Sequence, residues 1–463
     1  MTGLLIRNVE VEGRPGQDVA ICDGRIVAIG PKLRAAGEML DGAGGALIPG
    51  LIDHHLHLLG AAAAASSIDL SSCADASSAA ARIAAVAEAQ PGGWMRATGC
   101  PASFAMTLDT AVLDRWAPAH ALRVQDRTGA LWVLNSCALA LVGDGPGLER
   151  DAAGRVTGRV WRGDRWLGER IGRTVPSLRQ LGAQLAELGI TGVTDTSATT
   201  DASAAVLLGD AHASGALPQH LTLMSGGALA ASAAYRVGAV KIILDERELP
   251  SLDELAARIA LARQWGRAVA FHCVTAVELA LLLAAMELAG AWHGDRIEHG
   301  ALIPAAAITP IATLGLTVVT QPGFIAARGE AYRRDVEIAE QSDLYRCATL
   351  LANGVAVAGS SDAPYGPLDC WAAMRTAVTR QTAGGAMLGT GERLSPKAAL
   401  GLYLGAQDDP GGPPRRVVPG ASADLCLLRT KLPQALLELD AANVAATIIA
   451  GEIVWRKDAE LTF

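Results

Sequence analysis

Between Ala46 and Leu404 short apolar strands alternate with amphipathic helical patterns, and this rhythm constrains the fold more than any other feature of the 463-residue chain. The strands read as Ala46 to Asp53, Ile190 to Asp195, Leu221 to Met224, Ala239 to Leu244, Ala268 to His272, Asp295 to His299, Leu316 to Gln321 and Val355 to Ser360. Between them lie helical stretches such as Leu252 to Gln264, opened by the capping candidate Ser251, and Ala276 to Leu288. Strand-helix units repeated over this length call for a parallel α/β barrel or a doubly wound sheet. Two regions break the rhythm. The first fifty residues read as β, with Asp23-Gly24 as a hairpin turn between two apolar runs, and the chain closes the same way, with strands at Asp424 to Leu428, Ala445 to Ala450 and Glu452 to Trp455. Residues 1–50 and 405–463 are therefore expected to form one composite β-module beside a domain spanning 51–404. Within that domain, 61–171 carries several helices and only weak strand candidates at Trp94 to Gly99 and Leu122 to Gln125, and reads as an insertion over one end of the barrel.

Composition narrows the class of partner. The net charge of −8 argues against nucleic acid or an anionic membrane surface, while 51% apolar and 19% charged residues suit a large core. The longest apolar stretch, Val277 to Trp292, is broken by Glu278 and Glu287, so no spanning segment is expected. Eight scattered cysteines without a Cys-x-x-Cys pair imply reduced thiols and a cytoplasmic location. A small-molecule substrate is the expected partner, and a homodimer is the base-rate expectation.

Nine histidines occur, and four of them stand at or just beyond the ends of predicted strands. Pro49-Gly50-Leu51-Ile52-Asp53-His54-His55-Leu56-His57 ends an apolar strand in two histidines two positions apart, which places both rings on one side in a chelating arrangement. His272 and His299 each close a strand, and Asp362 follows another. Strand C-termini are where a barrel assembles its active site. A solvated polar loop explains one such residue readily; the coincidence of all five favours a metal. Lys241, one of five lysines, lies inside the apolar run Ala239-Val240-Lys241-Ile242-Ile243. Burial disfavours the charged amine, and a neutral amine adds carbon dioxide to give a carbamate that can bridge two cations. The competing reading has this lysine reaching a strand edge or pairing with Asp245.

These segments resemble the amidohydrolase superfamily. The likeness rests on Pro49 to His57, Lys241, His272, Arg296-Ile297-Glu298-His299 and Gly359-Ser360-Ser361-Asp362-Ala363-Pro364. Within the superfamily the chain is most similar to the YtcJ-like branch, which includes the N-substituted formamide deformylases, through Asn135 to Leu139, the turn segment Asp151 to Gly158 and Val318 to Pro322. The resemblance implies a distorted (β/α)8 TIM-type barrel with a composite β-sandwich from both termini. It implies one or two metal ions, usually zinc: His55 and His57 on the first, Lys241 as a bridging carbamate, His272 and His299 on the second. Asp362 would touch the first metal and act as the catalytic base. His54 stands outside that pattern. The implied activity is hydrolysis of a C–N bond of an amide, N-formyl or N-acyl amine by metal-activated water. A mononuclear deaminase of a heterocyclic or amidine-like substrate and a non-catalytic scaffold of the same fold are the rival readings. Two departures bear on specificity: Ala130 stands where the branch usually has a histidine, and only Asp245 to Pro250 follows the lysine strand, where the branch usually has a long loop. No substrate-binding residue follows from the sequence. Arg328, Arg333 and Arg334 could pair with a substrate carboxylate or simply form a solvated charged helix face, and Tyr365 or Trp161 could wall an apolar substrate.

Overall fold

Eight parallel strands, most of their residues buried, form the barrel. The computed structural model describes residues 3–34, 37–89, 92–171 and 176–457. The strands are β1 (Leu51–Leu56), β2 (Ile190–Asp195), β3 (His220–Ser225), β4 (Arg236–Ile243), β5 (Val269–Cys273), β6 (Arg296–His299), β7 (Thr317–Thr320) and β8 (Val357–Gly359). They lie side by side in chain order from β8 to β1. Near-continuous apolar sequence suits such strands, because the helices of each crossover cover the outer face. Two of those helices, α1 (Leu252–Gln264) and α2 (Ala276–Ala289), begin with reciprocal caps: Ser251 with Glu254, and Thr275 with Glu278. Each cap satisfies backbone donors otherwise left open and contributes on the order of 1 kcal/mol.

The ladder does not close between β8 and β1. Instead the segment at Leu402 and Tyr403 enters the seam, where Gly359 N donates to Leu402 O at 2.8 Å and Ile52 N donates to Tyr403 O at 3.0 Å. Gly359 has to be glycine, since a Cβ there would lie 2.6 Å from Cζ of the buried Tyr403 ring. At the C-terminal end of the seam Asp362 N donates to His55 O at 2.8 Å, and the Ser361 hydroxyl donates to Asp53. Of the barrel and the doubly wound sheet that the strand-helix rhythm left open, the parallel barrel implied by the family resemblance is present, distorted at this seam.

The chain divides into two compact units, Met1–Leu58 with Leu178–Phe463, and Leu59–Ser177. In the first unit both chain ends build a single eight-stranded sheet, in which Leu425–Leu428 pairs antiparallel with Ala46–Pro49. Asp23 and Gly24 both adopt positive φ, as the tight hairpin turn requires. Leu4, Ile6, Val19 and Ile21 share a core with Leu425, Leu427, Ala446 and Ile448. One strand reading needs correction. The run Ala46 to Asp53 is two strands, because the chain leaves the terminal sheet at Pro49 and enters the barrel at Leu51. Gly50 is the joint: a Cβ on it would sit 2.1 Å from the Thr191 side chain.

The unit Leu59–Ser177 has its own six-stranded sheet. Trp94–Cys100 and Ala121–Asp126 are genuine strands of it, and the turn-rich stretch after Asp144 supplies two more, Leu148–Arg150 and Val156–Trp161. All eight cysteines are free thiols. No helix among the described residues is long and apolar enough to cross a membrane.

Candidate metal centre

β1 carries His55 near its end and His57 just beyond, and the segment following β8 brings Asp362 against both. Asp362 Oδ1 lies 3.3 Å from His55 Nε2 and 3.3 Å from His57 Nε2. One ligand atom from each of the three falls within 4.8 Å of the others. His299, at the end of β6, joins them: its ring centroid is 4.7 Å from that of His55, and its Nδ1 is 3.9 Å from Asp362 Oδ2. His272 of β5 is next, 4.6 Å from His299 between ring centroids. Lys241 of β4 is buried beside β5, in register with Ala270, and its charge acts on His55, His272 and His299. The structure therefore brings together His55, His57, His272, His299, Lys241 and Asp362. His54 is buried on the same strand, and neither of its ring nitrogens has a hydrogen-bond partner among the described residues.

Three of the imidazoles are oriented from behind. His55 Nδ1 is held by the Glu298 carboxylate, which is itself gripped by the Arg296 guanidinium. His57 Nδ1 meets Ser197 Oγ at 2.9 Å, and His299 Nδ1 meets Gln321 Oε1 at 2.9 Å. Gln321 in turn donates to Ser360 Oγ at 2.9 Å. Such contacts fix which nitrogen faces the centre and raise its basicity as a ligand. Arg296 and Glu298 stood in the sequence within the Arg296-Ile297-Glu298-His299 motif that carries the family resemblance. Ser197 carried no signal, because a serine two residues past a strand is ordinary.

The electrostatics follow from burial and crowding. Burial lowers the Lys241 amine to about 8, against the pull of Glu298. Burial also lowers His272 to about 4 and His299 well below the usual imidazole range, with Lys241 adding to both. Both rings are thus neutral near pH 7, the form that binds metal. Burial would raise Asp362, yet His55, His57 and His299 together hold it well below the usual carboxylate range. His299 and Asp362 adopt positive φ of 71° and 54° without being glycine. Strain of this kind costs about 1–3 kcal/mol per residue and gathers at functional positions.

Three buried polar atoms at this centre, His55 Nε2, Asp362 Oδ1 and Lys241 Nζ, have no hydrogen-bond partner of good geometry among the described residues. Leaving such atoms unsatisfied costs roughly 1–3 kcal/mol each. A divalent cation satisfies the imidazole nitrogen and the carboxylate oxygen, and imidazole with carboxylate oxygen is a donor set that suits zinc. The residues present fit a metal.

The other expectations fall elsewhere. Tyr365 is 42% exposed and stands edge-on to His57, with ring centroids 5.4 Å apart. Arg333 and Arg334 are exposed and pair with Glu330 and Asp335 on their own helix. Ala130 and Trp161 belong to the unit Leu59–Ser177, where Arg162 N donates to Ala130 O. Asp245 caps a short turn over Glu246–Glu248 and pairs with Arg247, leaving Lys241 to the centre.

The family model described as the amidohydrolase family matches residues 38–455. The chain is 28% identical over 475 aligned positions to the N-substituted formamide deformylase of Arthrobacter pascens, covering 86% of each protein. Its fold is similar to that of an uncharacterized metal-dependent hydrolase from Pyrococcus furiosus, with a TM-score of 0.71 at 21% identity over 91% of this chain and 97% of that one. A second such hydrolase, from Pyrococcus horikoshii, gives 0.70 at 19% identity over 87% and 92%.

Proposed function

Because this chain belongs to the amidohydrolase family, we propose that it hydrolyses a C–N bond of a small molecule, of the amide, N-formyl or N-acyl amine type, at a divalent metal centre. The observation that carries this reading is the convergence of His55, His57 and Asp362 on one point, with His55 Nε2 and Asp362 Oδ1 lacking hydrogen-bond partners among the described residues. His55 and His57 would hold one metal together with Asp362. Lys241, as a carbamate, would bridge to a second held by His272 and His299. When bound, a divalent metal polarises the scissile carbonyl and makes hydroxide available near neutral pH.

The chain's own residues supply the proton traffic. Asp362, kept ionised by the three histidines around it, accepts the proton of the attacking water and delivers it to the departing nitrogen. Glu298, Ser197 and Gln321 keep the ligand rings from turning while this happens. The relative from Arthrobacter pascens, a deformylase of N-substituted formamides, supports the N-formyl type.

Elemental analysis of protein purified without chelator, paired with turnover of a panel of N-formyl and N-acyl amines, tests this. About two divalent metals per chain with activity on the panel supports the binuclear form. Metal-free, inactive protein that does not recover activity on adding zinc overturns it. A mononuclear deaminase is the second reading, favoured by the compactness of the three-donor group, which can hold an ion without the other residues. About one metal per chain, with ammonia release from amidine-like heterocycles, would select it.

A further inference from the structure

The hydrolytic reading leaves open what the substrate carries beyond its C–N bond, and the helix after β7 bears on this. That helix, α3 (Phe324–Asp335), holds three arginines. Arg333 and Arg334 are used up in exposed pairs, at 3.1 Å to Glu330 and 2.7 Å to Asp335. Arg328 is different. It is half-buried, its guanidinium carbon stands 4.0 Å over the Phe324 ring, and its Nη2 donates to the Tyr365 carbonyl at 2.8 Å. Among the described residues no carboxylate pairs with it.

Tyr365 ties this arginine to the metal centre. Its backbone N–H donates to Asp362 O at 2.8 Å, and its ring meets His57 edge-on. Arg328 also acts on the hydroxyls of Tyr332 and Tyr345, which are 2.8 Å apart. Tyr345 is held in place by the fully buried Arg380, which donates to the carbonyls of Tyr345 and Leu344 at 3.1 and 2.8 Å. Burial raises both phenols; Arg328 opposes that rise, and the Asp362 carboxylate is near enough to add to it. Both hydroxyls therefore stay protonated; one proton lies in the bond between them, which leaves the other to donate. A cation resting on an aromatic face, flanked by two phenols and lacking an acidic partner, is matched to an anion.

We propose that Arg328, flanked by Tyr332, anchors a carboxylate of the substrate, so that the scissile bond belongs to an N-formyl or N-acyl amino acid or a similar carboxylate-bearing amide. This inference rests on the hydrolytic reading above. A guanidinium has five N–H donors, of which the Tyr365 carbonyl takes one, and a planar carboxylate can accept two of them in parallel. Fixing the acid end from α3 sets the distance of the amide from Asp362. Amides lacking the acid lose that positioning.

The test compares kcat/KM of the metal-loaded enzyme on matched pairs: N-formylphenylalanine against N-formylphenethylamine, and the N-acetyl counterparts. The wild type should favour the acid. In Arg328→Gln the ratio of acid to uncharged substrate should fall by about 30- to 100-fold, chiefly through KM, with partial recovery in Arg328→Lys. A wild-type preference for the uncharged member overturns the proposal. So does an equal loss on both members in folded, metal-loaded variants, because a residue that merely staples α3 to the Tyr365 loop would act on both alike. Calorimetric titration with N-acetylphenylalanine separates this proposal from the reaction: binding abolished by Arg328→Gln in a protein that hydrolyses nothing supports the anchor and sinks the hydrolase reading. Hydrolysis of neutral amides without acid binding does the reverse.

Discussion

The Glu298 carboxylate of β6 holds Nδ1 of His55 on β1, so that the opposite nitrogen of the ring, Nε2, faces Asp362. Glu298 stays ionised in spite of its burial because Arg296, Lys241 and His55 surround it. Replacing it with glutamine keeps the shape and removes the charge that strengthens His55 as a ligand. Glu298→Gln should weaken zinc binding by about 10- to 100-fold in a chelator competition. An unchanged affinity would remove Glu298 from the centre.

Asp362 is the one carboxylate of the three-donor group it forms with His55 and His57, and its positive φ is a conformation that asparagine tolerates well. Asp362→Asn should therefore fold normally. Measured at saturating metal, its kcat on an N-formyl amine should fall by about 10²- to 10⁴-fold with little change in KM. Retention of kcat would assign the proton transfer to another group.

Lys241, with a pKa of about 8, is largely protonated at pH 6.5 and largely neutral at pH 8.5. Only the neutral amine adds carbon dioxide. At equal dissolved carbon dioxide, reconstitution of the metal-free protein with zinc should then be roughly 20-fold faster at the higher pH, following the neutral fraction. Labelled bicarbonate should give a carbamate carbon signal, absent from Lys241→Ala. A pH-independent rate with no such signal would leave Lys241 a structural amine.

Stability should also respond to pH, away from the centre. His220, at the start of β3, meets Asp424 beside the terminal sheet at 2.8 Å, with Arg415 nearby. The bond to Asp424 raises the histidine. Burial raises Asp424, but the bonds from His220 and Ser422 outweigh it and lower the acid. The raised histidine stabilises fully below its unfolded value of about 6.5, and that contribution is lost as pH rises through the folded value. The lowered acid stabilises above about 3.9 and loses its effect as pH falls through its folded value. The pair is thus worth most between roughly pH 4 and 6.5. Because the histidine is partly exposed the effect is small: His220→Gln should lower Tm by on the order of 1–2 °C more at pH 5.5 than at pH 8.5. Equal losses at the two values would show that packing, and not the ion pair, is what the substitution removes.

The strand ends were legible because a barrel strand is short, apolar and finishes in its chemistry. Residues 190–195 and the histidine-terminated runs before 272 and 299 fall within a residue or two of the observed strands. The joint at Gly50 was not legible, since a single apolar run gives no sign that it serves two sheets; the reason lies in Thr191, far along the chain. The sheet within Leu59–Ser177 was underestimated because its strands carry Arg96, Arg123 and Gln125, which stack on Trp94 and Trp132 or bond to one another and so hide the alternation of a buried strand. Of the groups behind the histidines, Glu298 was legible only as part of the Arg296-Ile297-Glu298-His299 motif of the family resemblance. Ser197 and Gln321 become meaningful only when the fold sets them behind His57 and His299.

The open seam between β8 and β1 has a consequence for how the protein is made. Asp53 and Ser361, whose side chains bond across it, are 308 positions apart, and the three-donor group draws His55 and His57 from one side and Asp362 from the other. On the ribosome the two histidines emerge early and wait through the synthesis of seven further barrel strands for their carboxylate. On the function proposed above, tight capture of an ion by that group follows translation of the last strand, and a chain truncated before residue 362 would carry half a clasp.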